Sequence, residues 1–182
     1  MQKIIVIGCP GSGKSTFSKA LHKITGIPLF HLDMLFWNAD KTTVEKAMFL
    51  ERLTQAMQQR QWIIDGNFSS TMELRMQACD TVFFLDYPVE ICLDGICQRR
   101  GTIRSDMPWT ETEEDAAFME FIQNFQFESR PQILELLEKF PHENIHIFTN
   151  RAEADTFLTQ TKIRQGGEPY EYYTDILRQF SI

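Results

Sequence analysis

The stretch "GCPGSGKST", residues 8 to 16, decides the fold. It satisfies GxxxxGKS, with Gly8, Gly13, Lys14 and Ser15 at the fixed places and Pro10, Gly11 and Ser12 between them. Glycines let successive backbone N–H groups converge on polyphosphate oxygens, because few Cβ atoms stand in the way. The positive end of the following helix adds to the attraction. In such a loop Lys14 reaches the β and γ phosphates, Ser15 offers its hydroxyl to Mg²⁺, and Thr16 lies beside it for the α phosphate. A plain glycine turn would also match so short a pattern, so the flanks decide. "KIIVIG", Lys3 to Gly8, reads as a buried parallel strand, and "KSTFSKALHKIT", Lys14 to Thr25, places Phe17, Leu21 and Ile24 at helical spacing. A strand, a glycine loop and a helix in that order predict a nucleotide site.

Composition bounds what such a site can serve. The 182 residues suggest one domain, 1–182, large enough for a substantial core and too short for a motor with separate effector modules. The chain carries 18 basic against 25 acidic side chains, a net charge of −7, so direct DNA binding would need a local basic stripe. The basic cluster Arg99, Arg100 and Arg104 is followed instead by Asp106, Glu111, Glu113, Glu114 and Asp115. Cys9, Cys79, Cys92 and Cys97 show no zinc spacing or disulfide framework, which fits a reduced cytoplasmic setting. Cys9 reads as a small residue that fits the loop. No leader or membrane span is expected, because "KIIVIG" is too short and begins a strand.

Five apolar runs, "KIIVIG", "IPLFHLD", "QWIIDG", "DTVFFLD" and "NIHIFT", are separated mostly by helix-length segments, which predicts an α/β protein with a parallel sheet covered on both faces. "TTVEKAMFLERLTQAMQQR" predicts a helix opened by a capping box from Thr42 to Glu45. Pro88 opens the helix "VEICLDGICQRR", with Gly95 as a weak point inside it. Residues 101–130 depart from this rhythm: "GTIRSDMPW" is polar and broken, and "TETEEDAAFMEFIQNFQF" starts a new helix, together predicting a mobile lid. "RPQILELLEKF" is the return helix. Residues 166–182 read as a hinge at Gly166 and Gly167 and a short helical tail, on the body of a monomer or on the partner in a homodimer.

Functional carboxylates belong at the carboxyl edge of the sheet, where Asp33, Asp65 and Asp86 fall. Asp65, followed by Gly66, is favoured for the Mg²⁺ shell, while Asp86 reads as a turn or cap before Pro88. Asp33 is the candidate to bind or deprotonate an acceptor hydroxyl. Trp37 either stacks an acceptor ring or packs, His31 reads as a packed strand residue, and Asn67 with Phe68 extends the same pocket. Arg99 and Arg104 at the start of the lid and Arg130 at its end are placed to neutralise a migrating phosphoryl group on closure. That arrangement favours transfer over hydrolysis.

With these pieces the chain resembles the small P-loop kinases of the adenylate-kinase-like group, which includes nucleotide, shikimate and gluconate kinases. It looks especially similar to bacterial proteins named for DNA topology modulation, through "IGCPGSGKST", "HLDMLFWN", "WIIDGNF", "RMQACDTVFFLDYP" and "RRGTIRSDMPW". The resemblance implies a three-layer sandwich, a five-stranded parallel sheet in 2-3-1-4-5 order, ATP as donor and a lid. It implies that Asp65 serves the magnesium shell and Arg99 the lid entry. It also implies that "TNRAE", with Arg151, forms the loop that wraps adenine. Where adenylate kinases continue the third strand as DGFPR, this chain reads "DGNFSS", and an adenine-flanking arginine aligns with Gly95; both departures point away from AMP. The expectation is an ATP-dependent phosphotransferase acting on a small hydroxylated or phosphorylated acceptor. The alternative is a nucleotide-binding regulator that affects DNA topology.

Overall fold

The computed structural model describes residues 1–113 and 115–165. The expected tail at 166–182 and Glu114 of the acidic run lie outside the described residues. Five parallel strands, β1 (Lys3–Gly8), β2 (Leu29–His31), β3 (Trp62–Asp65), β4 (Thr81–Leu85) and β5 (Asn144–Phe148), form one sheet in the order β2-β3-β1-β4-β5. The central strand explains itself. Ile4, Ile5, Val6 and Ile7 are all 0% exposed, because helices cover both faces of β1, and each such side chain contributes roughly 1.5–3 kcal/mol by burial.

Helix α1 (Lys14–Thr25) packs against α7 (Arg151–Arg164). Phe17 of α1 and Phe157 of α7 meet Phe83 of β4, with ring centroids 5.0 and 4.9 Å away. Three further helices gather elsewhere: α6 (Ala116–Lys139) packs on both α4 (Ser69–Ala78) and α5 (Val89–Arg99).

Three local expectations are corrected. The second strand is shorter than "IPLFHLD" suggested: it ends at His31, and Asp33 sits in the first turn of a short helix, α2 (Leu32–Phe36). The capping box at Thr42 does not form, and α3 runs from Lys46 to Met57. The Thr42 hydroxyl donates to Asp40 at 2.6 Å instead. Phe36 O accepts from Val44 N–H at 2.8 Å and Asn38 N–H donates to Thr42 O at 2.9 Å, so the chain makes a tight ribbon where a helix was expected. The lid helix and the return helix are one 24-residue element, α6, running through Pro131. The carbonyl that a proline at 131 leaves unbonded belongs to Phe127, which is 82% exposed, so water can satisfy it and the helix continues.

Candidate active site

The phosphate loop is built by close packing of backbone. Gly11 has φ +83, and a Cβ there would stand 2.0 Å from the Cys92 carbonyl of α5; a Cβ on Gly95 would stand 2.2 Å from the Gly11 carbonyl. Gly95, read from sequence as a weak point in its helix, is the residue that lets α5 lie against the loop. Across the sheet, the Asn67 side chain grips the start of the loop at two points, accepting from Gly8 N–H at 3.0 Å and donating to the Gly8 carbonyl at 2.6 Å. Lys14 Nζ folds back to donate to the Cys9 carbonyl at 3.0 Å. Burial lowers its pKa while the nearby Asp65 works the other way, so an anion on this loop would be bound by a poorly hydrated ammonium. The Ser12 hydroxyl is buried with no hydrogen-bond partner among the described residues. An unpartnered buried donor, the turned loop and the ammonium together fit a polyphosphate.

A cavity of about 890 Å³ opens beside this loop. Its lining brings together Pro10, Lys14 and Ser15 with Asp33, Trp37, Asp65, Gly66, Asn67, Arg99 and Arg104. Gly8, Gly11, Ser12, Gly13 and Thr16 belong to the loop and the helix start behind that lining. Asp65 is 4% exposed, and its carboxylate accepts from His31 Nδ1 at 2.8 Å. His31 therefore orients Asp65 and is not merely a packed residue. The parallel register that pairs His31 with Asp65 is what sequence reading lacked. Asp33 has its pKa raised, first by burial and then by the charge of Asp65, with Lys14 and Arg104 opposing. A carboxylate so placed takes up a proton more readily than an ordinary one.

Above the cavity, Glu111 stands between two arginines. Arg99 Nη2 donates to Oε1 at 3.0 Å and Arg99 Nε lies 2.9 Å from Oε2, while Arg104 Nη1 donates to Oε2 at 3.2 Å. Arg104 also donates to the buried Asp106, which takes a second hydrogen bond from Lys19 Nζ of α1 at 2.7 Å. Burial alone would raise the Asp106 pKa, but Arg104 and Lys19 hold it far below the usual carboxylate range. This ladder ties the 101–113 segment to the helix that begins at the phosphate loop.

Two expected arginines lie elsewhere. Arg130 does not line the cavity: its Nε donates to both Asp86 oxygens at 2.9 Å and its Nη2 lies 2.8 Å from Oδ2, giving Asp86 an ion pair to hold. Arg151 also stands outside the lining, at the first turn of α7, where its Nη2 lies 3.4 Å from the position of a Cβ on Gly95. The "TNRAE" turn that carries it is a reciprocal cap on α7: Asn150 Oδ1 accepts from Glu153 N–H at 3.1 Å and the Glu153 carboxylate accepts from Thr149 N–H at 2.7 Å.

Sequence reading missed Arg75. It is 0% exposed on α4 and donates to the carbonyls of Gly66 at 2.9 Å, Asn67 at 3.2 Å and Phe68 at 3.1 Å, fixing the turn that follows Asp65. Burial pushes its pKa down to about 10. Its place on the face of α4 shared with Met72 and Met76 was the available clue.

No family model and no curated protein matches the chain. Solved structures do. The chain is similar to shikimate kinase from Acinetobacter baumannii, solved in complex with shikimate, with a TM-score of 0.59 at 16% identity over 91% of this chain and 92% of that one. The fold is that of the small P-loop kinases. Shikimate kinase from Bacteroides thetaiotaomicron matches with a TM-score of 0.51 at 20% identity, over 90% of this chain and 97% of that one. A gluconokinase from Sinorhizobium meliloti 1021 matches with a TM-score of 0.51 at 14% identity, over 90% and 93%. These neighbours are small-molecule kinases. The finer resemblance, to proteins named for DNA topology modulation, finds no support in these comparisons. Among the described residues no helix is long and apolar enough to cross a membrane.

Proposed function

We propose that the protein is an ATP-dependent phosphotransferase acting on a small hydroxylated or phosphorylated acceptor. One observation carries this reading: a single cavity is lined by the loop lysine, by Asp33 and Asp65 at the sheet edge, and by Arg99, Arg100 and Arg104 from the end of α5 and the segment after it. A nucleotide switch also uses a metal-shell carboxylate and an arginine, but it has no need of a second carboxylate such as Asp33 with several arginines in one cavity; a transferase has, because an acceptor must be addressed and charge spreads over the migrating group.

In this reading the loop from Gly8 to Thr16 holds the triphosphate, with the Arg151 turn beside it for the base. Ser15 and Asp65 would hold Mg²⁺, which screens the phosphate charge when bound, and His31 keeps Asp65 oriented. Asp33 accepts the acceptor's hydroxyl proton. The hydroxyl oxygen bonds to the γ phosphorus as the bond from that phosphorus to the β–γ bridging oxygen breaks, and ADP leaves. Lys14, Arg99 and Arg104 neutralise the transferred group. Of the lid expected over 101–130, residues 101–113 are the part that moves in this reading, since the rest belongs mostly to α6, with the Glu111 carboxylate standing between Arg99 and Arg104 where a phosphoryl oxygen would compete for the same donors. The four free cysteines accord with a reducing compartment such as the cytoplasm.

Calorimetry with ATP and Mg²⁺, followed by coupled ADP release across nucleosides, nucleotides and sugar acids, tests the reading. Lys14→Ala is expected to lower turnover by a thousandfold or more, on the order seen for groups that stabilise phosphoryl transfer, with no loss of thermal stability. Undiminished turnover in that variant would sink the scheme.

A further inference from the structure

Two tryptophans from distant parts of the chain meet on the acceptor side of the cavity. Trp37 and Trp109 both line it, with ring centroids 5.2 Å apart and planes at 90°. Trp37 closes α2 and is bridged to Thr43 in the ribbon that replaces the expected helix start, so its backbone is fixed. Trp109 comes from the 101–113 segment, the part of the molecule latched by the Asp106 and Glu111 ion pairs.

We infer that Trp37 and Trp109 form the two walls of an acceptor subsite for a planar heteroaromatic ring that carries a hydroxyl on a short arm, the chemistry of a nucleoside. The inference rests on the kinase reading of the same cavity and adds the class of acceptor. Three observations support it. First, Trp37 N–H donates to the Asp33 carbonyl at 3.0 Å, the i to i+4 relation of a helix, so the indole and the carboxylate rise from one face about one turn, roughly 5.4 Å, apart. A ring lying on Trp37 would present a hydroxyl to Asp33 across that distance. Second, Phe68, Met72 and Met107 add apolar surface to the lining, which a planar ring can cover without leaving polar groups unpaired. Third, Arg99 and Arg104 are engaged by Glu111 and Asp106, and the kinase reading assigns them to the transferred phosphoryl group and not to the body of the acceptor. An edge-to-face indole pair opens at small cost, and a ring inserted between the two exchanges that contact for two stacking contacts.

The test uses the indoles themselves. Trp62 is 0% exposed in β3, which leaves Trp37 and Trp109 as the responsive fluorophores. Titrating pyrimidine nucleosides, with gluconate and shikimate as controls, should change the emission only for the nucleosides. The titration is run with a non-hydrolysable ATP analogue and Mg²⁺ present, and again without them. In steady-state kinetics Trp109→Leu should raise the acceptor KM about tenfold or more while ATP affinity holds, and Trp109→Phe should restore KM to within about threefold of the natural chain. A response to gluconate or shikimate and not to the nucleosides, or an acceptor KM indifferent to Trp109→Leu, would overturn the inference and leave the kinase reading standing. So would a loss in Trp109→Leu confined to thermal stability. Failure to bind ATP would instead overturn the kinase reading, while the nucleotide-free titration still decides whether the indoles take a ring.

Discussion

The phosphate loop and the 101–113 segment border the same cavity, but different forces hold them. The loop is locked by backbone against backbone: Gly11 against the Cys92 carbonyl, Gly95 against the Gly11 carbonyl, and Asn67 gripping both polar groups of Gly8. Those contacts are made by main-chain groups and one side-chain amide, none of which is charged. The 101–113 segment is held by charge, through Lys19, Asp106, Arg104, Glu111 and Arg99. A contact of the first kind gives one geometry and resists change. One of the second kind can be exchanged for another anion at modest cost, as the proposed lid role requires.

The largest way to break this contrast is Gly95→Ala. The added methyl would meet a main-chain carbonyl 2.2 Å away, and no flexible side chain can yield. We expect a loss of about 3 kcal/mol in denaturant unfolding together with weaker ATP binding; an unchanged midpoint would mean that the seam is loose and the contrast unfounded.

Asp33→Asn probes the border between the two regions. Transfer should fall about a hundredfold or more, while ATP affinity stays near that of the natural chain. The pKa of Asp33 is raised in the fold, so its stabilising contribution is complete below the ordinary value of 3.8 and is lost as pH rises through the folded value. Ionised Asp33 therefore costs stability at neutral pH, and the asparagine variant should melt at a higher temperature there, by a margin that shrinks on acidification. A lower melting temperature at pH 7 would contradict the assigned burial cost.

The smallest effect sharpens the charge-held side. The pKa of Asp106 is depressed, so its contribution is present above the ordinary 3.8 and lost as pH falls below it. Asp106→Asn should cost about 1–2 kcal/mol near neutrality, discounted because Lys19 is 39% exposed. It should also remove part of the acid limb from a series of urea melts between about pH 2.5 and 7. An acid limb identical to that of the natural chain would show that the ladder contributes nothing.

Much of the fold was legible because its determinants are local. The run Ile4 to Ile7, the loop glycines and the Lys14 helix each declare their conformation through neighbouring residues, and the alternation of strand and helix leaves few parallel topologies. Asp33 and Asp65 could be nominated because carboxylates near the ends of apolar runs are expected at the sheet edge, and Arg99 and Arg104 because they stand at the start of the polar, broken stretch that interrupts the strand–helix rhythm. His31 could not be assigned a role from its own strand, since its partner Asp65 is set by register with β3. Arg75 resembles an ordinary helix arginine until α4 is seen burying it against three carbonyls. Thr42 matched a capping pattern, yet its hydroxyl donates to Asp40 and accepts from Asn38 Nδ2 at 3.0 Å, because a local turn competes for the oxygen that a cap would use. The lid helix and the return helix read as two elements, and they join across Pro131 because the Phe127 carbonyl that the proline leaves unbonded lies on a residue 82% exposed.

By itself the sequence determined the phosphate loop, the parallel sheet and the residue types offered at its carboxyl edge, because backbone freedom and hydrophobic period act over a few residues. Only the tertiary structure decided which groups meet. It placed Glu111 between Arg99 and Arg104, gave Arg130 to Asp86, turned Gly95 from a helix weakness into a packing requirement, and brought Trp109 to Trp37. Those pairings join residues far apart in the chain, and their energies depend on distance, burial and competing partners that exist only once the helices have packed.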